Sequence, residues 1–94
     1  MLAMDGGVLA LCTYSGETTV TRITNRYGFD ELIQFIVGKW PSVTRNEMSI
    51  TYKIVGYGKC LLDSETDFEN MIELVKQGGT MRVDICVVME ADVV

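Results

Sequence analysis

Val8-Leu9-Ala10-Leu11-Cys12-Thr13-Tyr14 is followed by Ser15-Gly16-Glu17 and then by Thr18-Thr19-Val20-Thr21-Arg22-Ile23-Thr24. An apolar run, a turn signal and a run of Thr, Val and Ile read as two strands joined in a hairpin. β-Branched residues fit a pleated surface better than a helix, and Ser-Gly between two such runs marks a tight turn. The chain therefore opens with two strands before any helix. A ferredoxin-like chain, βαββαβ, opens with one.

The rest of the order follows from periodicity. Gly28-Phe29-Asp30-Glu31 places acids where a helix N-terminus stabilises them, and Phe29, Leu32, Ile33 and Ile36 form one helical stripe. Trp40-Pro41 ends that helix, because the residue before proline is pushed out of the helical region. Met48, Ile50, Tyr52 and Ile54 alternate with Ser49, Thr51 and Lys53 as a half-buried strand. Gly56-Tyr57-Gly58 breaks it, and residues 59–62 return as a short strand. A second helix starts at Asp63-Ser64, with Ser64 and Asp67 as a capping-box-like pair. It carries the stripe Phe68, Met71, Ile72 and Val75, and Gly78-Gly79 stops it. Met81, Val83, Ile85, Val87 and Met89 then alternate as a last strand, with only Val88 out of phase.

The order ββαββαβ is that of an α+β, ubiquitin-like β-grasp. The expectation is a mixed sheet with the first and last strands parallel neighbours and both helices on one face. The expected core is Phe29, Leu32, Ile36, Ile50, Tyr52, Phe68, Ile72 and Ile85. Residues 1–94 read as one domain, with residues 91–94 a frayed tail or the cut end of a longer protein.

Composition narrows the chemistry. The chain has 94 residues, enough for one core, and no histidine, which removes Ser/His/Asp and Cys/His catalysis and His-containing zinc sites. Cys12, Cys60 and Cys86 contain no C-x-x-C pair and read as reduced thiols. Lys and Arg number 8 against 13 Asp and Glu, a net charge of −5, and the bases are scattered singly along the chain. Direct nucleic-acid binding, which needs a basic stripe, is not expected. No apolar run approaches the roughly 18 residues that cross a bilayer. The first ten residues lack a basic start and are interrupted by Asp5-Gly6-Gly7, so they make a poor signal peptide. The expectation is a nuclear or cytoplasmic, non-enzymatic protein with no cofactor, metal, membrane or small-molecule partner.

Four pieces of sequence together resemble the Phox and Bem interaction domain, in the form found at the N-termini of plant Mutator-like (MuDR-type) transposases and related proteins. They are Tyr14-Ser15-Gly16-Glu17, Gly28-Phe29-Asp30-Glu31-Leu32, Ile50-Thr51-Tyr52-Lys53-Ile54-Val55, and the run Leu62-Asp63-Ser64-Glu65-Thr66-Asp67-Phe68-Glu69-Asn70-Met71. The resemblance implies a protein–protein interaction module in which a basic first-strand residue of one domain meets an acidic loop-helix motif of another. Leu11 stands at the basic position, and Gly56-Tyr57-Gly58-Lys59 replaces the acids usual between the third and fourth strands.

The candidate partner-binding residues are therefore Asp63, Glu65, Asp67, Glu69 and Glu73, five acids without an intervening base. Such a cluster steers and selects a basic partner, and with one face only, a monomer or weak homo-oligomer is expected rather than a filament. Leu9 and Leu11, if both point away from the helices, form a second candidate patch. Trp40 reads as a core lid, and Gly78-Gly79 lies inside the chain, where it cannot serve as a conjugating tail. The alternative readings are a DNA-associated domain within a transposase and a stand-alone ubiquitin-like adaptor.

Overall fold

The computed structural model describes residues 7–54 and 56–90. The expectations for residues 91–94, for Val55 and for the first six residues lie outside that range. The order is β1 (Val8–Tyr14), β2 (Glu17–Ile23), α1 (Phe29–Lys39), a 3₁₀ turn (Arg45–Glu47), β3 (Met48–Ile54), β4 (Gly58–Leu61), α2 (Glu65–Gly78) and β5 (Arg82–Met89). The five strands form one sheet in the order β2-β1-β5-β3-β4. β1 and β5 are parallel neighbours at its centre, and every other pair is antiparallel. This is the ubiquitin-like β-grasp.

Local chemistry explains the element ends. Ser15 (φ 51°) and Gly16 (φ 86°) both take positive φ, the two-residue type I′ turn whose twist suits a hairpin. The turn lets Tyr14 face Glu17, so β2 starts at Glu17, one residue before the sequence expectation. Trp40 leaves the helical region ahead of Pro41, as expected, and its N–H caps Ile36 O at 3.0 Å. Gly79 ends α2 in the left-handed conformation (φ 77°), donating to both Val75 O and Lys76 O at 3.1 Å. Met81 also has positive φ (55°), so it cannot continue a strand, and β5 begins at Arg82. Leu62 lies just past β4, yet its N–H donates to Ile50 O at 2.9 Å and its side chain is buried.

The inward face of the sheet carries Val8, Ala10, Cys12, Ile50, Tyr52, Val83, Ile85 and Val87, which join Phe29, Leu32 and Ile36 of α1 and Phe68, Met71 and Val75 of α2 in one core. Both helices thus cover one face. Among the described residues, no polar or charged side chain is buried. Seven of the eight expected core residues are buried; Ile72 is only half-buried, and Met71, fully excluded from solvent, holds the central position instead. Ile33 likewise packs at the margin. Trp40 is the lid expected: it tilts against Tyr14, ring centroids 5.5 Å apart, and its Nε1 donates to Glu17 Oε1 at 2.9 Å.

Candidate interaction site

The acids of α2 do different jobs. Ser64 is the N-cap, its hydroxyl accepting from Asp67 N at 3.2 Å. The Asp67 carboxylate accepts from Asp63 N at 3.0 Å rather than from Ser64, so the capping pair is displaced by one residue. Asp63 pairs with Arg45 at 3.4 Å, and Arg45 also lies 5.4 Å from the Phe29 ring centroid. Both members of this ion pair are well exposed, 42% and 65%, which makes the pair worth little to stability.

Glu65 reaches across to the other helix. Its Oε1 accepts from Phe29 N at 2.9 Å, while Glu31 Oε1 accepts from Gly28 N at 2.8 Å. The first amides of a helix have no partner within it; here one of α1's is satisfied by α2. Glu65 is thus a clasp between the two helices as well as a surface charge.

Glu69 and Glu73 are exposed and have no hydrogen-bond or ion-pair partner among the described residues. With Glu65 they fall at i, i+4 and i+8, on one side of α2. That side borders a groove of about 450 Å³ that is also lined by the buried Phe68, the half-buried Ile72 and the exposed Met81. Arg26 and Lys76 also border it. The structure therefore divides the five sequence candidates: Asp63, Glu65 and Asp67 have internal partners, and Glu69 and Glu73 face outward.

Register also assembles bases that look isolated in the sequence. On the helix-free face, Leu9 of β1 stands between Arg22 of β2 and Arg82 of β5. Lys53 of β3 lies opposite Lys59 of β4, with Asp84 of β5 on its other side. Leu11 sits between Val20 and Asp84. Both leucines of the second candidate patch do point away from the helices, half-buried. The molecule is thus polarised, acidic along α2 and mainly basic on the open sheet face. Sequence order hid this, since strand register sets which bases become neighbours.

The remaining chemistry is sparse. Burial pushes the Cys12 thiol up to about 12, which keeps it protonated and unreactive. Cys60 and Cys86 are half-buried, on opposite faces of the sheet. Among the described residues no group of three or more Cys, Asp or Glu side chains is placed to hold a metal ion, and no helix is long and apolar enough to cross a membrane.

No protein-family model and no curated protein matches the sequence. Solved structures do match. The solution structure of the PB1 domain of Cdc24p (long form) superposes with a TM-score of 0.73 at 20% identity, covering 88% of this chain and 97% of that one. The AtNBR1-PB1 domain superposes with a TM-score of 0.69 at 15% identity, covering 89% of this chain and 98% of that one. At these identities the likeness is one of fold: the chain has the ubiquitin-like architecture of PB1, or Phox and Bem, domains.

Proposed function

We propose that this domain is a non-catalytic protein–protein interaction module that docks a basic surface of another protein along the acidic side of α2. The observation that carries the reading is the stripe Glu65, Glu69 and Glu73 along a groove that Phe68 and Ile72 also line, with Glu69 and Glu73 making no side-chain hydrogen bond or ion pair among the described residues. Such a groove suits a basic side chain carried next to an apolar one. Grouped like charges raise the on-rate and selectivity for a basic partner more than its affinity, so the docking is salt-sensitive. The likeness to PB1 domains, modules of protein interaction by the sequence resemblance, points the same way. The resemblance of residues 62–71 to plant Mutator-like transposase N-termini supports a setting within such a protein, nuclear or cytoplasmic, and rests on sequence alone.

The test is a quantitative pull-down with wild type and the Glu69→Gln/Glu73→Gln variant side by side. Proteins with basic surfaces retained by wild type and lost by the variant, at equal folded amount, support the reading. Equal retention by both moves the interface away from α2.

A further inference from the structure

The two edges of the sheet are built differently. β4 has four residues and carries Gly58 and Lys59, the short, charged form with which proteins blunt an edge against pairing. β2 has seven residues, no proline and no lysine, and five of them are β-branched: Thr18, Thr19, Val20, Thr21 and Ile23. Its register against β1 runs one-to-one from Val8↔Ile23 to Tyr14↔Glu17, so no bulge twists the edge away. Among the described residues no strand pairs with its outer side. Val20, at its middle, is 52% exposed.

We infer that β2 is a self-pairing edge, joining antiparallel to β2 of a second copy about a two-fold axis at Val20. The sequence of the strand suits its own reverse. With Val20 opposite Val20 of the second copy, Thr19 faces Thr21, Thr18 faces Arg22 and Glu17 faces Ile23. The only charged residues, Glu17 and Arg22, lie toward opposite ends and on opposite faces, Glu17 toward Trp40 and Arg22 on the helix-free face, so no like charges oppose across the pair. A parallel arrangement would align like with like. On the helix-free face Leu11 is the cross-strand neighbour of Val20. Pairing extends that contact into a row of Leu11 and Val20 from each copy, which adds apolar burial to the backbone hydrogen bonds. The result is a continuous ten-stranded sheet with all four helices on one side.

Charge gives this association a signature. Each copy carries −5, so self-pairing works against net repulsion and strengthens as salt screens it. Docking of a basic partner on α2 weakens with salt, so the two contacts separate in one salt series, and either can fail without the other.

Sedimentation velocity across concentration and salt tests the inference. Wild type is expected to show a monomer–dimer equilibrium near the hundred-micromolar range, about 10⁻⁴ M, tightening with salt. Val20→Lys, at an exposed site, sets two lysines face to face and weakens the dimer about ten-fold or more. Leu61→Lys, 61% exposed on the opposite edge, leaves it unchanged. With Cys60 and Cys86 replaced by Ser, Val20→Cys cross-links to its counterpart on mild oxidation and Thr18→Cys does not. A wild-type chain monomeric at about 1 mM would overturn the inference. So would a dimer weakened by Leu61→Lys and not by Val20→Lys, or a β2 edge protected only by an extended segment of a different protein.

Discussion

The run of acids from Asp63 to Glu73, leading into and along α2, divides into two regions that look alike in sequence and behave differently in the fold. Asp63, Glu65 and Asp67 surround the helix start, where free amides attract carboxylates, and each has a partner. Glu69 and Glu73, one and two turns further on, have helical amides already bonded beneath them and make no ion pair or side-chain hydrogen bond among the described residues. Acids at a helix N-terminus are stabilised by the place they occupy. Acids beyond the first turn gain little from it, so Glu69 and Glu73 keep carboxylates exposed to solvent.

Mutations sharpen that contrast, and the largest effect is expected between the two regions, at Phe68. It is buried in the core and stacks against Tyr27, 6.4 Å between ring centroids. Phe68→Ala should cost about 3–5 kcal/mol, a large part of the roughly 5–15 kcal/mol that holds such a domain, measured by urea unfolding. A loss under about 1 kcal/mol would mean that α2 does not anchor the core. Glu65→Ala comes next. It leaves Phe29 N without its acceptor and should cost about 1 kcal/mol, whereas Glu65→Gln keeps an acceptor and costs less. Asp63→Asn removes only an exposed ion pair and should fall within about 0.5 kcal/mol of wild type.

A pH series probes the opposite kind of group, one hidden completely. Burial raises the Cys12 thiol from its ordinary 9.0 to about 12. In the unfolded chain the thiol releases its proton first. The stabilising contribution is therefore complete below about 9 and is lost as pH climbs toward 12. Unfolding midpoints should fall between about pH 9 and about pH 11, and Cys12→Ala should flatten part of that fall. The phenols of Tyr27 and Tyr52, also raised chiefly by burial, keep the remainder.

Much of this architecture is legible in the chain because it is local. The Ser15-Gly16 turn, the strand alternation around Ile50 and the glycine stop at Gly79 are each written within a few residues. What escapes is set by distance. Glu65 looks like any first-turn acid because its partner, Phe29 N, lies 36 residues away. Arg45 carries no local sign of its contact with Asp63. Arg22 and Arg82, or Lys53 and Lys59, become neighbours only once strand register is fixed. Met71 and Ile72 both lie on the inward arc of α2, and packing against the sheet chooses between them. The candidate site was visible as a run of acids; its division into occupied and outward-facing halves was not.

The smallest structural perturbation gives the most direct functional test. Glu69→Gln/Glu73→Gln should change stability by less than about 0.5 kcal/mol, since neither carboxylate has a partner to lose. An NMR titration of ¹⁵N-labelled protein with a lysine-rich peptide that carries interspersed leucines should shift the amides from Glu65 to Lys76. Raised salt should reverse those shifts, and the double variant should lack them with its fold intact. Shifts that persist unchanged in the variant, or that fall on β2 or the open sheet face instead, would contradict the assignment of α2 as the docking surface.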